Sequence, residues 1–154
     1  MSPASFSILL VCTANICRSP AVQSLLARQL SGRSVRIESA GTRALDGNVI
    51  DASMARLLQA RGHDALPEHR SRALMPVMLG RFDLVLCMQD EHLAQALTLQ
   101  PTARGKVRLL GQWSAQQIRD PIGLPEPVYA EVLDQIENCA AQWVQKLTDM
   151  EMIR

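Results

Sequence analysis

Apolar and polar positions change their period several times along the chain. Phe6-Ser7-Ile8-Leu9-Leu10-Val11 is a short apolar run that stops at Cys12-Thr13-Ala14-Asn15, and from Ser19-Pro20 onward Ala21, Val22, Leu25, Leu26 and Leu30 recur at helical spacing. This reads as strand, loop and helix, with Ser19-Pro20 as the helix-start signature and Gly32 as the stop. Val35 to Ser39 reads as a second strand and 40–48 as a glycine-containing loop; Met54, Ala55, Leu57 and Leu58 mark a helix closed by Gly62. Phe82 to Cys87 is a third strand, Asp90 to Leu99 a helix, Lys106 to Leu110 a fourth strand, and Pro125 to about Leu147 the last helix. Strands alternating with helices imply an α/β fold, a parallel sheet with helices on both faces, because a parallel crossover needs a long connection. Ligands of such sheets sit beyond the carboxyl ends of the strands, which places the chemistry at the Cys12 loop.

Composition narrows the function. The 154 residues suit one domain over 1–154, and 47% hydrophobic against 20% charged residues is enough apolar material for a core. Sixteen basic and fifteen acidic side chains give a charge of +1 with no basic tail, and only 3% of residues are aromatic, so no nucleic-acid partner is expected. No apolar run is long enough for a signal core or a membrane span, so the expected place is the cytoplasm, with no membrane insertion. Cys12, Cys17, Cys87 and Cys139 form no C-x-x-C pair, and reduced thiols are expected. His63, His69 and His92 stand singly, so neither a metal nor another cofactor is expected. A balanced surface fits a monomer or a weak dimer equally.

The segment from Cys12 to Arg18 must curl between a strand end and a helix start. Successive backbone amides of Thr13, Ala14, Asn15, Ile16 and Cys17 then converge, the helix N-terminus adds partial positive charge, and Arg18 supplies a two-pronged grip on two oxygens. A phosphate group fits such a cradle, and the same field favours the thiolate of Cys12 as a nucleophile. Ser19 is read either as a hydrogen-bond donor to that sulfur or as a plain helix cap. On spacing alone Cys12 is a small buried hydrophobe, and Asp120 a turn former before Pro121.

The full string Val11-Cys12-Thr13-Ala14-Asn15-Ile16-Cys17-Arg18-Ser19-Pro20 alters those odds. It resembles the signature of the low molecular weight protein tyrosine phosphatases, and the likeness extends through Ser39-Ala40-Gly41-Thr42, His69-Arg70-Ser71-Arg72, Asp83 to Met88 and Asp120-Pro121. Gly105-Lys106-Val107, Leu110-Gly111-Gln112-Trp113 and Ala140-Ala141-Gln142-Trp143 are most similar to the bacterial branch that serves exopolysaccharide synthesis.

The resemblance implies a four-stranded flavodoxin-like sandwich and hydrolysis of phosphotyrosine through a phosphocysteine on Cys12. It implies Arg18 as the phosphate grip, Asp120 as general acid, and a tyrosine autokinase as protein partner. It further implies that Asn15 holds the loop's shape, that Cys17 can form a reversible disulfide with Cys12, and that His69 supports the site from behind. Arg70 and Arg72 are expected to face solvent. The chain departs from the family pattern at Ala14, where many relatives carry Gly and a negative φ is needed to tolerate the methyl, at Ile122, where they usually show an aromatic residue, and near Leu45, where they often place one. Two other readings compete: an arsenate reductase on the same fold, whose cysteine relay looks broken here, and a phosphate-binding module without catalysis.

Overall fold

The first strand, β1 (Phe6–Cys12), is buried at every residue, as a strand must be when sheet neighbours flank it and helices cover both faces. In this computed structural model residues 6–154 are described, and residues 1–5 lie outside them. β1 pairs in parallel with β2 (Val35–Gly41) on one side and with β3 (Leu84–Cys87) on the other, and β4 (Val107–Leu109) adds beyond β3. The order β2-β1-β3-β4 is that of the expected four-stranded parallel α/β sheet.

Alternation along β1 divides the core. Ile8, Leu10 and Cys12 point into one apolar layer with Val22, Leu25 and Leu26 of α1 (Arg18–Gln29), Met54 and Leu58 of α2 (Ala52–Ala60), and Ile136, Ala140 and Trp143 of α5 (Glu126–Asp149). Leu9 and Val11 point the other way, onto Leu79 of α3 (Pro76–Arg81) and Ala96 of α4 (Asp90–Leu99). The chain leaves β1 toward β2 and later returns to β1's opposite side as β3. The crevice beyond the end of β1 is therefore the switch point of the sheet, where loops diverge and leave room for a ligand.

Boundaries moved where side chains override local pattern. Six-residue α3 was not foreseen; only Leu79 in it is buried, too little to print a helical period. β3 starts at Leu84, not Phe82, because Asp83 leaves the ladder: its Oδ2 accepts from the Ser7 amide at 2.8 Å and the Ser7 hydroxyl at 3.0 Å. α1 starts one residue ahead of the Ser-Pro pair, at Arg18, so Ser19 is inside the helix and caps nothing. Pro20 still costs no hydrogen bond there, because first-turn amides have no helical acceptor. Among the described residues no helix is long and apolar enough to cross a membrane.

Candidate active site

The loop after β1 turns its carbonyls outward onto the scaffold. Cys12 O accepts from the Thr42 amide and Thr13 O from the Arg43 amide, both at 2.9 Å; Ile16 O accepts from the Asp51 amide at 2.6 Å and Cys17 O from Ala21 at 3.1 Å. Asn15 O accepts from His69 Nε2 at 2.7 Å, which assigns the proton of that ring to Nε2. In a planar trans peptide the N–H points opposite to the preceding C=O. The amides of Thr13, Ala14, Ile16, Cys17 and Arg18 are thereby aimed to the inside of the loop, and no acceptor among the described residues takes those of Thr13 to Cys17. The result is a bowl of N–H groups at a helix N-terminus, suited to an anion.

Asn15 shapes this bowl. Its backbone is left-handed, with φ of 59°, a conformation that Asn tolerates better than other side-chain-bearing residues. Its Oδ1 accepts from the Arg72 amide at 2.9 Å and its Nδ2 donates to Ser19 Oγ at 3.0 Å. Ala14 is absent from the left-handed positions, so its methyl is accommodated. Gly41, paired with Cys12 at the end of β2, gives the loop its seat: a Cβ there would lie 2.4 Å from Thr13 O and 2.9 Å from the Asn15 amide nitrogen. Arg72 does not simply face solvent, as the sequence suggested. It donates to Ser39 O at 2.9 Å and pairs with Glu38 at 2.7 Å, which fixes the segment whose amide holds Asn15. Arg70 is exposed and bonds only to nearby carbonyls of Pro67 and His69.

Arg18 is 2% exposed, and its fork is divided between two tasks. Nη1 donates to Gln89 Oε1 and to Ile118 O, the latter at 2.8 Å, while Nη2 donates to Thr13 Oγ1 at 3.3 Å. Nε is buried and donates to nothing among the described residues. Gln89 and His92 escaped the sequence reading, since a Gln at a helix start and a lone His look like ordinary surface residues. His92 is fully buried; its Nδ1 accepts from the Gln89 amide at 3.1 Å and its Nε2 donates to Thr13 Oγ1 at 2.8 Å. Burial, then the charge of Arg18, lowers its pKa to about 4, so the ring is neutral.

Cys12 and Asp120 line one small pocket with Ala14, Ile16, Cys17, Arg18 and Ile122. Asp120 is exposed, and its Oδ1 accepts from the Ile122 amide at 3.0 Å, an Asx turn that steadies the carboxyl at the pocket mouth. Ile122, 39% exposed, forms an aliphatic wall there; Leu45, 76% exposed, is not among the lining residues. Of the remaining thiols, Cys17 is buried, and burial first, then the charges of Asp51 and Cys12, push its thiol well up. Cys87 lies in the apolar layer on the other side of the sheet from Cys12, Cys139 lies in α5 with its sulfur 3.9 Å from Ser114 Oγ and from Gln116 Oε1, and all four thiols are free. Among the described residues no cluster of three or more His, Cys, Asp or Glu side chains gathers at metal-binding distance.

Known proteins resemble this chain in sequence and in fold. A low molecular weight protein-tyrosine-phosphatase of Escherichia coli K12, Etp, is 38% identical over 143 residues, 92% of this chain and 95% of that one. The crystal structure of the tyrosine phosphatase Wzb from Escherichia coli K30 with sulphate superposes with a TM-score of 0.87 at 36% identity, covering 92% of this chain and 97% of the other. The YwlE arginine phosphatase from Geobacillus stearothermophilus superposes with a TM-score of 0.86 at 32% identity over 96% of each chain. Residues 7–152 match the family described as low molecular weight phosphotyrosine protein phosphatase, and it is to this family that the chain belongs.

Proposed function

We propose that this protein hydrolyses phosphotyrosine on a protein substrate, with Cys12 as nucleophile, Arg18 and the loop amides as the phosphoryl cradle, and Asp120 as general acid and base. The sulfur attacks phosphorus and a P–S bond forms as the P–O bond to the tyrosine breaks; Asp120 gives its proton to the departing phenolate oxygen. Water then attacks phosphorus, Asp120 takes a proton from it, and the P–S bond breaks to return the thiolate and release inorganic phosphate. The amides and Arg18 meet the charge on the equatorial oxygens throughout.

The observation that carries this reading is the meeting, in one pocket, of the Cys12 sulfur, the Arg18 guanidinium and the Asp120 carboxyl, beneath outward-turned loop carbonyls. A module that only binds phosphate needs neither the thiol nor the acid. An arsenate reductase needs a thiol relay, and Cys87 faces away. The apolar walls, Ala14, Ile16 and Ile122, favour an aryl ring over a phosphoguanidinium, whose remaining N–H groups would need acceptors. The motifs shared with the exopolysaccharide branch support a cytoplasmic tyrosine autokinase as the substrate.

The test compares hydrolysis of phosphotyrosine, phosphoserine and phosphoarginine peptides by the wild type and by Cys12→Ser. Selective turnover of phosphotyrosine, lost in Cys12→Ser while phosphate still binds, is expected. Retained turnover in the variant, or preference for phosphoarginine, would overturn the assignment.

A further inference from the structure

Arg18 is a guanidinium sealed in the interior with no carboxylate partner among the described residues. Its chain acceptors are an amide oxygen (Gln89 Oε1), a peptide carbonyl (Ile118 O) and a hydroxyl (Thr13 Oγ1), all neutral. The ring that completes the group, His92, is neutral as well and touches Arg18 only through Thr13. Buried charges are ordinarily paired, because dehydrating an ion is costly unless an opposite charge replaces the water. Here dipoles hold the cation in place while its charge stays unneutralised. The acceptors also occupy a particular side: Gln89 and Ile118 take both protons of Nη1, whereas Nε is buried with no acceptor and Nη2 gives only one bond. The Nε and Nη2 edge, the one able to grip two oxygens in parallel, therefore looks into the loop that contains Cys12.

We propose that Gln89 is a positioning residue for this arginine: it anchors Nη1 through a neutral acceptor, so that the guanidinium meets the phosphoryl group with its orientation fixed and its positive charge unpaired. This rests on the reading of the loop as the phosphoryl site. A carboxylate in the same place would hold Arg18 as firmly but would spend part of its field, weakening the attraction for both the phosphoryl oxygens and the sulfur anion. The acidic groups around this cluster are Asp120 across the pocket, Asp51, which acts on Cys17 from α2's cap, and Asp90 and Glu91 in the first turn of α4, Glu91 lying 3.7 Å from His92 Nε2. Among the described residues none of them bonds to Arg18, and none changes in the variants below.

Two isosteric substitutions separate the anchor from its charge. Gln89→Glu keeps an acceptor and adds a negative charge; Gln89→Met keeps the volume and removes the acceptor. The readouts are the pH dependence of Cys12 alkylation by iodoacetamide, located by mass spectrometry, and the inorganic phosphate concentration that gives half protection. Neither needs turnover. In Gln89→Glu the alkylation midpoint should move to higher pH by about half a unit or more, and half protection should need about threefold more phosphate. In Gln89→Met the midpoint should stay where it is in the wild type while kcat on p-nitrophenyl phosphate falls severalfold. An unmoved midpoint and unchanged protection in Gln89→Glu would overturn the proposal, as would a shift of equal size in both variants. Should the wild type bind phosphate with these shifts yet leave phosphotyrosine untouched, the functional reading fails and the role of Gln89 stands.

Discussion

The Cys12 sulfur lies 3.0 Å from Ser19 Oγ, on the second residue of the helix that follows the loop. Ser19 Oγ also accepts from Asn15 Nδ2 at 3.0 Å, and across the contact with the sulfur either the hydroxyl or the thiol can be the donor. Asn15 thus orients the hydroxyl that faces the nucleophile while its own left-handed backbone bends the cradle. Asn15→Ala removes both side-chain bonds and leaves the Arg72 amide unpaired, besides forcing Ala into the left-handed region. We expect a loss of about 3 kcal/mol in urea unfolding, with Asn15→Gly recovering about 1 kcal/mol of it. Equal losses in the two variants would show that the backbone conformation carries no cost.

Gly41→Ala should behave as a substitution in the active site although Gly41 carries no side chain. The added Cβ meets Thr13 O and the Asn15 nitrogen, both backbone, so the loop itself must shift. A stability loss of about 1–3 kcal/mol and a fall in kcat/KM of about tenfold or more are expected. Gly80→Ala, in α3 with nothing within 4 Å of its Cβ, is the control and should cost neither.

Asp120→Ala removes the group assigned to protonate the leaving oxygen. Hydrolysis of phenyl phosphate should slow by about a hundredfold or more, and that of p-nitrophenyl phosphate less, because nitrophenolate departs with little proton help. Equal slowing of both substrates in steady-state assays would remove Asp120 from the acid role.

Ile122 gives the pocket an aliphatic wall, so an aryl substrate finds no ring to stack on. Ile122→Tyr should lower KM for aryl phosphates by about 2- to 12-fold, the equivalent of one aromatic pair, and leave the inhibition constant of inorganic phosphate unchanged. A parallel gain for phosphate would mean that the change acts on the cradle instead.

His92 makes stability depend on pH. Its folded pKa is about 4 against an ordinary value of 6.5, so the unfolded chain binds a proton first as the pH falls. Stability from this group is complete above about pH 6.5 and declines toward pH 4, by up to about 1.4 kcal/mol per pH unit. Urea midpoints of the wild type and His92→Gln, measured across that range, should converge as the pH drops. Parallel curves would place the titration elsewhere.

Much of the architecture was legible in the residues. The apolar run ending at Cys12, the helical spacing from Ala21 to Leu30 and the positive φ of 79° at Gly62 each follow from local rules, and each appears where those rules put it. The helix Asp90–Leu99 was read to the residue, with two acidic side chains in its first turn. Ser19 was misread as a possible cap because a Ser-Pro pair has the same local signature one residue later in a helix. Arg72 was misread as a solvent cation because its partners, Glu38 and Ser39, lie on a strand more than thirty positions away.

What the sequence determined by itself was the parallel sheet, the loop that turns at its first strand, and the thiol, guanidinium and carboxyl available to it. The sheet and the loop follow from periodicity, while Cys12 and Asp120 were singled out by the resemblance of the strings around them to a known family. Tertiary structure alone decided that Gln89, Ile118 and Thr13 share Arg18, that Gly41 seats the loop, and that Cys87 faces away from Cys12. A hydrogen bond between residues 71 or 100 positions apart leaves no local trace, because its distance and direction are set by how strands and helices pack.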